Sequence, residues 1–438
     1  MPPFGLRRMA FALSTLGLIG VSAQAYASAF QIWEQDGASI GSYHAGYAAE
    51  AADASIAFYN PAGITRFKNQ QLVFSSAGVM PNIKFKGNLT VDTINNGNTI
   101  LPATAQGGSF AFVPALHYVA PISERVGFGF SIDVPFAAKT NYGHSTDVRY
   151  AATQTYLTVI DYSPSFAFKM TDKASFGAGL DIQEMKAEFD QVGTIGGTEL
   201  DTDGIDSADG SAFGYHLGAL YEFNVMTRVG LSYHSQVVHH LTGTSRFSGP
   251  IAAFFGIPIT SDRAKVNMTL PPYTALSLYH RVAPKMALMA SAIYTQWNLI
   301  RTLTLLNASG ILNSEPNTTI TVTVPQYFQN SWNLSLGSDY YLTDRVTLRG
   351  GIGYDQTPVR DAYRTVQLPD NDRYVIAFGG HYQATTTLGV DMGWAHLFMN
   401  KAHIIPPPQV TGDQTVTTNG SVRAGADVLS AQLTWDLV

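Results

Sequence analysis

Leu429-Ser430-Ala431-Gln432-Leu433-Thr434-Trp435-Asp436-Leu437, close to the end of the 438-residue chain, alternates without a fault. Leu429, Ala431, Leu433, Trp435 and Leu437 fall on one face, and Ser430, Gln432, Thr434 and Asp436 on the other. A period of two marks a β-strand whose faces meet different surroundings. The same beat recurs upstream. Val346, Leu348, Ile352 and Tyr354 oppose Thr347, Arg349, Gly351, Gly353 and Asp355, and Trp332, Leu334 and Leu336 oppose Ser331, Asn333, Ser335 and Asp339. Tyr156, Ile160, Tyr162, Phe166 and Phe168 oppose Thr155, Asp161, Ser163, Ser165 and Lys169. In a soluble sandwich the apolar face meets a core; in an outer-membrane barrel it meets lipid, and the polar face lines the lumen.

Loop lengths decide between the two. Alternating segments lie near 70–86, 107–121, 126–137, 153–170, 174–189, 210–223, 227–241, 263–282, 285–300, 326–342, 345–356, 372–383, 386–399 and 422–438, which makes fourteen. Tight turns such as Ser123-Glu124-Arg125, Thr171-Asp172-Lys173 and Thr343-Asp344 alternate with long stretches at 190–209, 242–262, 301–325 and 400–421. Short turns on one side and long loops on the other are the outer-membrane pattern. Tyr118, Phe168, Tyr221, Tyr279 and Trp435 are placed to form aromatic girdles. The expected fold is all-β: a membrane-spanning antiparallel barrel of about 14 strands over residues 70–438.

Composition agrees. Charged residues are only 13%, against roughly a quarter in soluble proteins. Lys+Arg 26 against Asp+Glu 32, a net charge of −6, leaves no basic footprint for nucleic acid. The absence of cysteine excludes disulfide scaffolds, Cys-ligated zinc, iron–sulfur clusters and a cysteine nucleophile. Arg7 and Arg8, the apolar run Met9 to Val21, and Ala25-Tyr26-Ala27 read as a signal peptide over 1–27. The apolar run is too short for a membrane helix.

Residues 28–69 do not alternate and are rich in Ala, Gly and Ser. They are too apolar for a solvated tail, and a fourteen-stranded lumen is too wide for its own side chains to fill. A plug inside the barrel is expected, its small residues packing closely without strong anchoring. Asn60-Pro61-Ala62-Gly63 sets a stiff turn before the first strand and is the candidate gate.

The run Ala48, Ala51, Asp53-Ala54-Ser55 and Phe58-Tyr59-Asn60-Pro61-Ala62-Gly63-Ile64-Thr65 resembles the N-terminal hatch of the outer-membrane long-chain fatty acid transporter (FadL) family. Ser28-Ala29-Phe30-Gln31, Arg149-Tyr150, Ile160-Asp161-Tyr162-Ser163-Pro164-Ser165, Leu270-Pro271-Pro272, Gly353-Tyr354-Asp355-Gln356-Thr357-Pro358-Val359 and Leu368-Pro369-Asp370-Asn371-Asp372-Arg373 agree in order along the chain. The resemblance implies a lumenal hatch, hydrophobic cargo and lateral exit through a break in the third strand. Val438 departs from the aromatic terminus usual for such barrels.

Several residues then become candidates. Pro135, with Phe136, interrupts the third strand, where a residue without an N–H belongs at a bulge or edge; this is the expected wall opening. The outward segment 249–259 is almost wholly apolar, and Ile251, Phe254, Phe255 and Ile257 are expected to capture cargo. Phe30 and Phe58 are the expected lumenal contacts, and Arg149 the candidate cation for a carboxylate head. Gly37-Ala38-Ser39-Ile40-Gly41 fits G-x-S-x-G but lacks the strand–turn–helix setting that a nucleophile elbow needs. The eleven histidines are scattered, and only His239 and His240 are adjacent, on opposite strand faces; no metal site or cofactor is expected. Asp201, Asp203, Asp206 and Asp209 lack calcium-loop spacing and read as a solvated loop.

The expectation is a transporter in the outer membrane of a Gram-negative bacterium, a monomer among membrane lipid, that passes hydrophobic molecules inward without chemistry. Long-chain fatty acids come first and monoaromatic hydrocarbons second. An open porin needs no apolar plug, and a barrel hydrolase lacks its Ser/His context.

Overall fold

The computed structural model describes residues 29–93, 97–196, 198–256 and 258–437. The signal-peptide reading of 1–27 and the capture residue Ile257 therefore lie outside the described residues.

Fourteen strands cross the membrane: β1 Gln70–Thr93, β2 Ala111–Pro121, β3 Val126–Asn141, β4 Gln154–Lys169, β5 Ala174–Gly193 and β6 Thr202–Asn224. β7 runs through Thr227–His234 and Val237–Ser248, and β8 through Ile259–Leu270 and Tyr273–Ala283. β9 Met286–Thr295, β10 Ser331–Tyr341, β11 Val346–Asp355, β12 Arg373–Gln383, β13 Leu388–Met399 and β14 Gln414–Leu437 complete the wall. Each strand pairs antiparallel with the next, and β1 pairs with β14 in unbroken register from Gln70↔Leu437 to Thr93↔Gln414. The sheet closes on itself.

The alternation runs in the direction that only a membrane permits. Leu429, Leu433 and Trp435 are 53%, 47% and 50% exposed, whereas Ser430 and Gln432 between them are 6% and 1% exposed. Apolar residues point out and polar residues point in, the reverse of a soluble domain. Tyr279 is a correction to the girdle expectation: it is buried in the lumen, with its ring 3.9 Å beneath the guanidinium of Arg228.

Four short turns share one device. A Ser or Thr hydroxyl (Ser123, Thr171, Thr343, Thr385) accepts from the backbone N–H two and three residues on. Such side chains close a turn that the backbone alone leaves unsatisfied.

The long stretches are not loops. β5 continues to Gly193 and β6 starts at Thr202, while Thr302–Leu312 pairs with Glu315–Pro325 as a hairpin. Gly97–Gln106 folds back on β1. Both faces of these extensions stand beyond the lipid, so alternation fades and backbone pairing holds them. Asp206 and Asp209 consequently lie on β6 rather than in a solvated loop.

Candidate functional site

Residues 29–66 fold inside the barrel as three short helical pieces, Ser39–Ser42, Ile56–Tyr59 and Pro61–Arg66. Asn60 is fully buried and organises the hatch. Its side-chain amide donates to Ala48 O (2.6 Å) and, across to β6, to Ala219 O (3.0 Å), while its oxygen accepts from Ala62 N (3.2 Å). Pro61 follows at the first helical position, where no N–H is needed. The wall makes room with glycine: a Cβ at Gly218 would lie 2.0 Å from Asn60 Oδ1, and one at Gly230 would lie 1.8 Å from Ala48 O.

The expectation of weak anchoring is corrected. Arg228 donates to Ala49 O (2.9 Å) and Glu50 O (2.6 Å). Gln432 accepts from Gly37 N (3.0 Å) and donates to Asp53 (2.8 Å), and Ser291 accepts from Gly46 N (2.8 Å). The alanine-rich backbone cannot bury its own polar groups, so the wall side chains satisfy them.

Above the hatch lies a cavity of about 190 Å³. Phe30, Leu157, Val266, Met268, Ile300, Leu303 and Phe328 give it an apolar lining, with Asp190 and Asp206 at its edge and no Lys, Arg or His. Phe30 packs edge-on against Trp297 (4.9 Å) and lies 6.0 Å from Phe136. Trp297 and Phe328 are fully or nearly fully buried and were not singled out from the sequence, because they sit where alternation fails.

The third strand is interrupted. The β2–β3 ladder stops at Leu116↔Ile132, and the β3–β4 register shifts between Asp133 and Phe136, around Val134-Pro135. Ala111–Ala115 therefore pairs with β1, and beyond the gap Asn141 N donates to Gly107 O (2.9 Å). Hatch backbone crosses this window: Ile32 N donates to Pro135 O (2.9 Å) and Ala137 N to Phe30 O (2.8 Å).

The other candidates fall in different places. Phe58 is in the hatch, its ring 5.0 Å from that of His234 rather than in the cavity. Arg149 stands in the turn Asp147–Tyr150, where its guanidinium donates to Asp147 and Asp201 (2.8 Å each) and to the Tyr150 hydroxyl; it is not among the cavity-lining residues. Ile251 is buried against Phe247, Ile259 and Ile311, whereas Phe254 is 82% exposed at the end of the helical turn Pro250–Phe254. Ser39 lies between Asp36 and His44 Nδ1 (2.6 Å), and Asp36 accepts from the serine. With no carboxylate hydrogen-bonded to the imidazole, no proton relay is assembled; burial also lowers the His44 pKa to about 4. Sequence reasoning missed one cluster altogether, Asp181, His216 and His234, because its members sit on three strands and meet only across the sheet.

A family model described as outer membrane protein transport protein (OMPP1/FadL/TodX) matches residues 18–437. Outer membrane protein P1 of Haemophilus influenzae is 30% identical over 435 residues, covering 90% of this chain and 91% of that one. A long-chain fatty acid transport protein of Escherichia coli is 29% identical over 413 residues, covering 87% and 89%. In fold, the crystal structure of a Pseudomonas aeruginosa FadL homologue is similar with a TM-score of 0.79 at 24% identity, over 93% of this chain and 99% of that one. The Pseudomonas putida toluene transporter TodX gives 0.68 at 17% identity, over 94% and 100%. The chain thus belongs to the OMPP1/FadL/TodX family and is an outer-membrane transporter of hydrophobic compounds in a Gram-negative bacterium, not an enzyme.

Proposed function

We propose that the chain admits long-chain fatty acids by passive diffusion, from the apolar outer segment to the cavity, and then sideways through the window in β3 as the hatch shifts. One observation carries this reading: Phe30 belongs to both places. Its side chain lines the cavity, and its carbonyl accepts from Ala137 at the window. Cargo that displaces the ring pulls on the backbone crossing the opening. Burying about sixteen methylenes at ~0.8 kcal/mol each gives on the order of 13 kcal/mol gross. A swing of the hatch from 1:99 to 99:1 needs about 5.5 kcal/mol of differential affinity, so binding can drive it. Phe254 and Phe255 offer the first apolar contact outside; Asn60-Pro61-Ala62-Gly63 is the hinge of the hatch.

A second reading, monoaromatic hydrocarbons, is favoured by the cavity itself, which has two aspartates on its lining and no basic residue to meet a carboxylate.

A cross-link tests the path. Gln31 and Phe136 face each other, and the backbone bonds fall on their neighbours, which makes them a non-hydrogen-bonded antiparallel pair with Cα atoms about 4.5 Å apart. That separation suits a disulfide. Gln31→Cys with Phe136→Cys, oxidised, should abolish oleate uptake in cells lacking other copies, and reduction should restore it to the level of Phe136→Cys alone. Normal uptake through the verified cross-link refutes the gate. Deletion of the protein should slow oleate and spare acetate. Loss of toluene entry with oleate spared selects the second reading, and equal loss of acetate selects an open pore.

A further inference from the structure

Asp181 on β5, His216 on β6 and His234 on β7 are buried side chains at one level of the lumenal wall, beside the hatch turn Ile56–Tyr59. The two imidazoles stack 5.1 Å apart and 17° from parallel, and Tyr273 of β8 stacks on His234 at 4.4 Å. His216 Nδ1 is 2.6 Å from Asp181 Oδ1, and His234 Nδ1 is 4.0 Å from Oδ2. One donor atom from each of the three residues lies within 4.8 Å of the others.

Two further observations point to a cation. Both carboxylate oxygens of Asp133, on β3, are buried without a hydrogen-bond partner. Among the described residues, no lysine or arginine forms an ion pair with Asp133, Asp161 or Asp181. Buried carboxylates without a partner are costly, and a bound metal ion is a strong local positive charge.

Two imidazoles and a carboxylate are the donor set of a borderline divalent ion, whereas Ca²⁺ and Mg²⁺ prefer oxygen throughout. Tetrahedral ligands at about 2.0–2.1 Å from Zn²⁺ stand roughly 3.3 Å apart. The observed 2.6 and 4.0 Å straddle that spacing for the two His–Asp pairs, and the two imidazole nitrogens, within 4.8 Å of each other, close in as the ion binds. Each imidazole donates its lone pair in the plane of its ring, so one ring must turn out of the parallel stack for both nitrogens to reach one ion.

We propose that Asp181, His216 and His234 form a binding site for a Zn²⁺-class metal ion in the lumenal wall, against which the hatch turn rests. The full-length barrel, purified in detergent and stripped with a chelator, is titrated with Zn²⁺ alone. One equivalent per barrel should bind, and zinc-edge absorption should report two imidazoles and one carboxylate oxygen at about 2.0–2.2 Å. His216→Gln with His234→Gln, checked as folded by heat-modifiable migration, should weaken binding by at least about a hundredfold, while His403→Gln on the outer surface should bind as the parent. Folded parent protein that leaves Zn²⁺ free, or binds it without imidazole, overturns the site, as does a folded double variant of unchanged affinity. Should the double variant not assemble, the parent absorption spectrum decides by itself.

Discussion

Around the hatch, the acids of β10–β13 and those of β3–β5 are neutralised in different ways. Arg349 pairs with Asp339 and Asp391, and Arg373 pairs with Asp355 and with Asp370 just before β12. Asp133 and Asp181, on the other arc, have only histidines: His117 at 3.6 Å, and His216 with His234. Asp161 bonds to Ser163 and Gln183. A guanidinium is charged at every accessible pH, whereas an imidazole brings positive charge only when it is protonated or, as a neutral ligand, holds a cation. The arginine arc is fixed structure. The histidine arc is adjustable, and it adjoins the window, since Asp133 immediately precedes the Val134-Pro135 bulge.

The largest effect should follow from Arg373→Met, which keeps the bulk but removes the guanidinium that pairs with Asp355 and Asp370. Loss of one partner of a buried ion pair costs about 3–5 kcal/mol, read as a fall in the urea midpoint for heat-modifiable migration. Asp370 also accepts from Ala29 N (2.9 Å), so the hatch terminus should loosen together with the wall. A loss below about 1 kcal/mol would end the idea of a fixed arc.

Next comes Glu34, in the hatch, whose burial raises its carboxyl pKa from 4.5 to about 7. Undocked in water it ionises near its ordinary value, so docking binds a proton between those limits. Docking stability is therefore full below about pH 4.5, declines as pH rises to about 7, and is level above; the fall is on the order of 3 kcal/mol. His44 acts with the opposite sign, its pKa lowered from 6.5 to about 4. The difference between the parent and Glu34→Gln isolates the carboxyl. Hydrogen exchange over residues 29–66 should accelerate from pH 5 to pH 8 less in the variant, and parallel curves would contradict this.

Asn60→Ala tests the hatch where it meets the histidine arc. It strands the buried carbonyl of Ala48 and removes the bond to Ala219 O, at about 1–3 kcal/mol. Exchange over 56–66 should rise and uptake should change, while the barrel melts as before. A lowered barrel midpoint would make Asn60 part of the wall. Smallest is His117→Gln, which exchanges one hydrogen bond, to Ser131 (3.0 Å), for another and should move stability by less than about 1 kcal/mol. A loss matching that of Arg373→Met would erase the contrast between the arcs.

Wherever lipid lies on one side of a strand and the lumen on the other, the chain spells its fold, as Leu429 to Leu437 does. The spelling stops above the membrane: Thr302–Leu312 and Glu315–Pro325, with Leu303, Leu305 and Val322 turned to the cavity, read as loop, yet pair as a hairpin. The Asn60 turn and the Pro135 interruption were visible because proline carries its own backbone constraint. Arg149 is held away from the cavity lining by Asp201, which arrives from another strand connection and is not marked by spacing. The Asp181–His216–His234 grouping was hidden for the same reason, since cross-strand neighbours on the lumenal face are set by register rather than by spacing.

The seam between β1 and β14 dictates an order of events during biogenesis. The hatch is N-terminal to β1 and ends up enclosed, and the last strand made supplies the full length of the closing ladder. Made in chain order, the strands leave the zipper of Gln70–Thr93 against Gln414–Leu437 as the last ladder able to fasten, and a sheet that curls around the N-terminal segment while still open is the expected route. Once it is fastened, the small helical pieces have no route back through the wall. A chain truncated before residue 414 would release both barrel and hatch as an unsealed sheet, a substrate for periplasmic proteolysis rather than a leaky pore.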